Sequence, residues 1–284
     1  MTTAKATVHG AVSLVNAIAT KKGATLGIEL KVDVVIETSQ GKGISIESEN
    51  KSLSSRLVNS TIEKIISKKE IEENKINVIL ESEIPTGYGL KSSSAISTAV
   101  ALACSKIFRP KLTDRQILLA GVEASIASKV SITGAYDDAC SCYYGGFNVT
   151  DNLKRNRVNS EKAPTNLISI IFIPKNRKRG NVQNLKILSG VFENAWNLAK
   201  RADYWNAMNI NGLATAAILN SDPKIIINLL AKGAYAASIS GNGPSIAAIA
   251  ERENESDIRK VFSTLEGNVL VSKINNKKAE VHEL

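Results

Sequence analysis

The sequence predicts an α+β fold of two lobes. Strand-like and helix-like apolar patterns follow one another in mixed order, without the strict strand–helix alternation of a doubly wound sheet. The chain has 284 residues, enough for one large domain or two fused lobes with a substantial core. No repeat of fixed period and no low-complexity linker divides it. The charged stretch 151–162 marks the expected boundary, giving an N-terminal lobe over 1–152 and a C-terminal lobe over 153–284.

Each element has its own signal. Residues 31–37 (Lys-Val-Asp-Val-Val-Ile-Glu) and 75–81 are rich in β-branched side chains and read as strands. Between them, 51–69 has helical spacing, with Leu53, Leu57, Ile62, Ile65 and Ile66 on one side. Segments 95–107 and 113–128 read as helices, the second opened by the capping-box pattern Thr113-Asp-Arg-Gln116. After the Gly145-Gly146 turn, 167–173 reads as a buried strand, and 186–202 and 208–219 as helices. The remainder supplies a strand over 245–250, a helix over 255–265 and a closing strand over 268–274.

Composition narrows the function classes. Thirty-six Lys+Arg against 27 Asp+Glu give a net charge of +9, which suits an anionic partner. The densest basic run, 175–179 (Lys-Asn-Arg-Lys-Arg), has no interleaved aromatics and no nucleic-acid reader motif, so it reads as a solvated turn. No stretch approaches the roughly 18 apolar residues that cross a bilayer, and the first residues lack the apolar block of a signal peptide. A cytoplasmic protein with no membrane and no nucleic-acid partner is expected. Cys104, Cys140 and Cys142 cannot make a disulfide framework and form a poor zinc site. Only His9 and His282 are available, so a Ser-His-Asp hydrolase would have to use His9 as its base.

The most informative string is Ile84-Pro-Thr-Gly-Tyr-Gly-Leu-Lys-Ser-Ser-Ser-Ala-Ile96, where a strand leads through two glycines and three serines into an apolar helix. Gly87 and Gly89 allow backbone angles closed to other residues and let the chain approach a ligand closely. A helix start offers unpaired N–H groups and partial positive charge, which together bind phosphate. Ser92, Ser93 and Ser94 add hydroxyls, and Lys91 adds a cation. The string is neither a Walker A loop, since Leu90 precedes Lys91, nor a dinucleotide fingerprint, since the third glycine is missing. Taken alone, it could be a serine-rich helix cap after a tight turn.

Pro85-x-x-x-Gly89-Leu90-Lys91-Ser92-Ser93-Ser94-Ala95 resembles the Pro-x-x-x-Gly-Leu-Gly-Ser-Ser-Ala-Ala loop of the GHMP kinases, the superfamily of galactokinase, homoserine kinase, mevalonate kinase and phosphomevalonate kinase. It departs in having Lys91 for Gly and Ser94 for Ala. Ser238-Ile-Ser-Gly-Asn-Gly-Pro-Ser245 resembles the superfamily's third motif, with Gly241 and Gly243 in its turn. His9-Gly-Ala-Val-Ser-Leu-Val-Asn-Ala17 is similar to the first motif at Gly10, Val12 and Leu14, and departs at His9, Ala11, Asn16 and Ala17.

The resemblance implies a two-lobed GHMP-kinase-like fold with the active site in the cleft between lobes. It implies an ATP-dependent small-molecule kinase whose nucleotide contacts come from Pro85, Gly87, Gly89, Leu90, Lys91, Ser92, Ser93, Ser94, Ala95, Gly241 and Gly243. Mg²⁺ would be held by Ser93 and Glu123. The aspartate base would be Asp137 or Asp138: counting back from Gly145 favours Asp138, and counting forward from Gly134 favours Asp137. Within the superfamily, the 9–19 string and Thr133-Gly-Ala-Tyr-Asp-Asp-Ala-Cys140 are most similar to the archaeal shikimate kinases. That likeness implies shikimate as acceptor, phosphorylated on its 3-hydroxyl. Homoserine kinase is the alternative of the same fold, but that type usually offers Asn where this chain has an acidic pair. A basic RNA-binding module is the alternative of another class, suggested only by the net charge.

Overall fold

The computed structural model describes residues 2–49, 54–131 and 134–284. Two long antiparallel strands, β1 (Thr2–Val15) and β2 (Lys22–Gln40), form the backbone of the first sheet. β3 (Gly43–Ser48) follows, then α1 (Ser55–Ile65), α2 (Lys68–Glu73) and β4 (Asn74–Ser82). β4 pairs antiparallel with β2 and parallel with β3. The expected helix over 51–69 is divided in two. Ile66 is extended, and Ser67 begins α2 with a capping box in which its hydroxyl and the Glu70 carboxylate each take the other's N–H. Residues 51–53, with Leu53, lie outside the described residues.

Three helices follow, α3 (Ser92–Phe108), α4 (Asp114–Ala127) and α5 (Tyr136–Tyr144); α3 and α5 pack on β1 and β2, and α4 packs on α1, α3 and α5. α3 is buried almost all round, and its run of Ala, Ser and Cys lets it lie close against β1 and β2. Thr113 caps α4 with Gln116 in the expected box. β5 (Phe147–Asp151) pairs with β2, and β6 (Asn156–Glu161) pairs with β5. The expected division at 152/153 falls in the turn of this hairpin, whose strands both lie in the first sheet.

β7 (Leu167–Pro174) opens the second sheet. A 3-10 turn (Val182–Leu188) and α6 (Ser189–Lys200) take the place of one continuous helix over 186–202, and α7 (Tyr204–Ile218) and α8 (Pro223–Ala231) follow. β8 (Ala236–Ile239), β9 (Ile246–Glu251), α9 (Glu255–Phe262) and β10 (Gly267–Lys273) complete a four-stranded antiparallel sheet in the order β10-β7-β9-β8. β11 (Glu280–Glu283) returns to the first sheet and pairs with β1. The fold is therefore α+β with two sheets and two apolar clusters, the larger drawing on both sheets and the smaller on the opposite face of the second sheet. Among the described residues no helix is long and apolar enough to cross a membrane.

Candidate active site

A cavity of about 400 Å³ lies where the connections of the two sheets meet. One wall is the loop before α3. Gly89 has φ +84°, and a Cβ there would collide with the Ser240 carbonyl, so glycine is required both by conformation and by contact. Lys91 follows as the N-cap of α3 in the left-handed region (φ 68°), and no side chain caps the helix. The first N–H groups of α3 are thereby left free for an anion. Ser92, Ser93 and Ser94 line the cavity at this point. The Ser92 hydroxyl meets Thr86 at 3.2 Å, while the Ser93 hydroxyl has no hydrogen-bond partner among the described residues.

Hydrogen bonds tie this loop to segments far away in sequence. The Ser240 hydroxyl accepts from Ser13 N (3.1 Å) and donates to the Gly89 carbonyl (2.8 Å). Ser245 Oγ donates to the Tyr88 carbonyl (2.6 Å), and Asn16 Nδ2 donates to the Gly241 carbonyl (2.6 Å). A register shift in β1 between Ser13 and Val15 accompanies the turn of this strand end into the cleft.

The two candidate aspartates sit in the first turn of α5, where the helix dipole favours carboxylates. They have different surroundings. Asp138 is partly exposed to the cleft, and its Oδ1 is 2.8 Å from Nζ of the buried Lys91. The same ammonium donates to Ser13 Oγ at 2.7 Å, and Ser13 Oγ also accepts from Gly241 N. Asp137 is buried behind it. Its carboxylate accepts from Asn152 Nδ2 (2.6 Å) and lies so close to Gly23 that a Cβ there would strike it. Burial first, and then the charge of Asp138, push the Asp137 carboxyl well above the usual carboxylate range.

Gly87, Gly89, Leu90, Lys91, Ser92, Ser93, Ser94, Asp137, Asp138 and Gly241 thus come together around one cavity. Pro85, Ala95 and Gly243 do not line it: Ala95 is buried within α3, and Gly243 sits in the turn behind Gly241. Glu123 does not line it either, and here the sequence expectation is corrected. Its carboxylate pairs with Arg155 (3.1 Å) and Lys64 (3.6 Å) at the surface. Ser125 is the residue of α4 that reaches the cleft, and two positions along a helix turn the side chain by about 200°. Ser13, Asn16, Asn152 and Arg179 are site residues the sequence reading did not assign. Asn16 stood out as a departure from the first motif, and Arg179 belonged to the basic run; Asn152 carried no signal.

Among the described residues no group of three or more His, Cys, Asp or Glu is gathered as for a transition metal. The cleft offers serine hydroxyls and the Asp138 carboxylate beside an anion-binding helix start. That hard-oxygen set suits Mg²⁺, which keeps waters and shares itself between phosphates and one or two protein oxygens. All three cysteines are buried, Cys142 with its thiol against the Lys91 carbonyl, and burial pushes the Cys104 and Cys140 thiols up to about 12.

Comparison with known proteins agrees with this geometry. Residues 56–146 match the family described as "GHMP kinases N terminal domain", and 187–267 match "GHMP kinases C terminal". The chain is 36% identical to a shikimate kinase of Methanobrevibacter smithii over 94% of this chain and 95% of that one. It is 33% identical to a shikimate kinase of Pyrococcus furiosus, over 92% and 96%. Among solved structures, the mevalonate kinase of Methanococcus jannaschii superposes with a TM-score of 0.74 at 18% identity, covering 96% of this chain and 98% of that one. The homoserine kinase of Cytophaga hutchinsonii gives 0.73 at 20%, over 98% and 97%. These two likenesses speak for the fold alone.

Proposed function

This chain belongs to the GHMP kinase family, and on that premise we propose that it transfers the γ-phosphate of ATP to the 3-hydroxyl of shikimate. The acceptor is supported by the full-length relatives named shikimate kinase. The observation that carries the chemistry is the Lys91–Asp138 pair facing the open start of α3.

Phosphoryl transfer needs positioning of two reactants and compensation of charge on the moving group. The free N–H groups at Ser92–Ser94 bind the triphosphate, and Gly89 and Gly241 let the backbone come close to it. Mg²⁺, when bound, offsets charge on the phosphates; the Ser93 hydroxyl and the Asp138 carboxylate are the protein oxygens that would hold it. Asp138 accepts the proton of the acceptor hydroxyl as the bond to phosphorus forms. Lys91 fixes the direction of that carboxylate and keeps a positive charge beside the reacting oxygens. Asp137 is a positioning residue: its bonds with Asn152 fix the first turn of α5 and hence the place of Asp138. A small-metabolite kinase of this kind works in the cytoplasm.

The test is an ADP-release assay on shikimate, homoserine, mevalonate and galactose, with wild type and Asp138→Asn. Shikimate should be the acceptor turned over, and the variant should lose about 10²–10⁴-fold, the usual worth of general-base help. Brisk turnover of another alcohol with none on shikimate would discard the acceptor. Full activity of Asp138→Asn would discard the base.

A further inference from the structure

We propose that Arg179 reads the carboxylate of the acceptor, which makes the basic run 175–179 a specificity element of the cleft. The proposal rests on the kinase reading above.

Two cations line the cavity among its described residues, Lys91 and Arg179. Lys91 is committed to Asp138 and Ser13. Arg179 is not neutralised: its Nη1 donates to the carbonyls of Asn242 (3.0 Å) and Gly243 (3.2 Å), and no carboxylate pairs with it among the described residues. A guanidinium has five N–H donors in a rigid fork, so anchoring one nitrogen on the turn leaves a preorganised face for a planar anion. In sequence this run looks like a solvated turn. In the structure it is exposed but anchored across both glycine turns. Arg177 lies over the Tyr88 ring, 4.8 Å from its centroid, next to Gly87, and Arg179 holds the Gly241–Gly243 turn.

The two anions this site must bind need separate donors. The triphosphate belongs to the N–H groups that open α3. The acceptor must present its hydroxyl to Asp138 with its body on the other side of the transferring group, because attack and departure are in line. The part of the cavity lining that belongs neither to the α3 loop nor to α5 includes Asn16, which is bonded to the Gly241 carbonyl, Val182 and Arg179. A rigid ring acid with its hydroxyl at Asp138 would then set its carboxylate against Arg179.

The experiment compares shikimate with its uncharged carboxamide on wild type, Arg179→Gln and Arg179→Lys, with KM for ATP and melting temperature measured in parallel. Gln keeps a donor for the turn carbonyls and removes the charge. Arg179→Gln should raise KM for shikimate about tenfold to a hundredfold, as expected for a lost charge-assisted hydrogen bond. It should leave KM for ATP and the melting curve unchanged, and Arg179→Lys should recover part of the loss. Wild type should disfavour the carboxamide by a similar factor, and Arg179→Gln should treat the two acceptors alike. A wild type that accepts the carboxamide as readily as shikimate overturns the proposal without any variant. So does a rise in KM for ATP alone, which would assign Arg179 to the phosphates, or no kinetic change at all, which would leave it a clamp on the turn. Failure of the premise looks different: wild type itself would be inert toward shikimate, and the proposal would fall with it.

Discussion

Lys91 departs from the glycine that the resemblance places at this point of the loop, and replacing it separates two opposing effects. The side chains of Lys91 and Asp138 are 5% and 18% exposed, and their charged atoms are 2.8 Å apart. Removing one member of a buried pair costs about 3–5 kcal/mol, because the other charge is left uncompensated. The remaining exposure of Asp138 brings this to about 2–3 kcal/mol. Against that, a non-glycine residue at a φ of 68° carries strain of about 1–2 kcal/mol. Lys91→Met loses the charge and keeps the strain; Lys91→Gly loses both. Stability should therefore fall in the order wild type, Lys91→Gly, Lys91→Met, with Gly recovering about 1 kcal/mol relative to Met. In the Asp138→Asn background, Lys91→Met should cost far less, because no opposing charge is left behind. Urea unfolding followed by the fluorescence of Trp196 and Trp205, at unchanged m-value, measures all of these. A coupling below about 0.5 kcal/mol between the two substitutions would mean that the pair is not an energetic unit, and the reasoning would fail.

Asp137 supplies a pH dependence. Burial and the Asp138 charge push its carboxyl up to about 7, whereas an unfolded Asp titrates near about 4. Its share of stability is complete below about pH 4 and is lost as pH climbs through about 7, because over that window the folded protein holds a proton the unfolded chain has released. Melting temperatures of Asp137→Asn between those pH values should lack this downward slope; an identical slope would locate the effect elsewhere. Glu123→Gln should leave turnover and the Mg²⁺ titration unchanged and cost less than about 1 kcal/mol, since it removes only exposed ion pairs. A titration moved to higher Mg²⁺ would return Glu123 to the metal. Ser93→Ala should weaken turnover at limiting Mg²⁺ and ATP without altering the melting curve, because that hydroxyl has no partner among the described residues; wild-type kinetics would remove its role.

How much could be read in advance depended on where each signal lies along the chain. α3 and α4 were legible because their apolar spacing and the Thr113 cap are local. β1 was read only as a motif. Its inward positions are Ala4, Ala6 and Val8, alternating with Thr3, Lys5 and Thr7, and a period-two pattern made of alanine is faint in hydropathy. α8 had its marks, an Asp222 cap and Pro223 in the first turn, but only nine residues to display them. At the site, the contiguous loop 87–94 was legible, and so was the choice of two adjacent aspartates. What decides between them is not local: Asn152 holds one from 15 residues away, and Lys91 holds the other from 47 residues before it. Glu123 lies two positions from Ser125, the residue of α4 at the cavity, enough on a helix to change faces.

The Ser240 hydroxyl joins residues 13, 89 and 240, so the nucleotide loop takes its form from three regions spread along the polypeptide. Closing such long intervals is entropically slow and comes only after the local helices and hairpins have formed. A nascent chain that has emerged only as far as β6 would have α3 but not the restraints that shape the loop in front of it. ATP would then recognise only fully assembled molecules, and by mass action would favour that state over any half-docked intermediate. The cell's own nucleotide would thus act as a late check on assembly. Grafting the first half onto the second half of a distant relative should yield folded but nucleotide-blind hybrids unless the equivalents of Ser13, Gly89, Ser240 and Ser245 travel together.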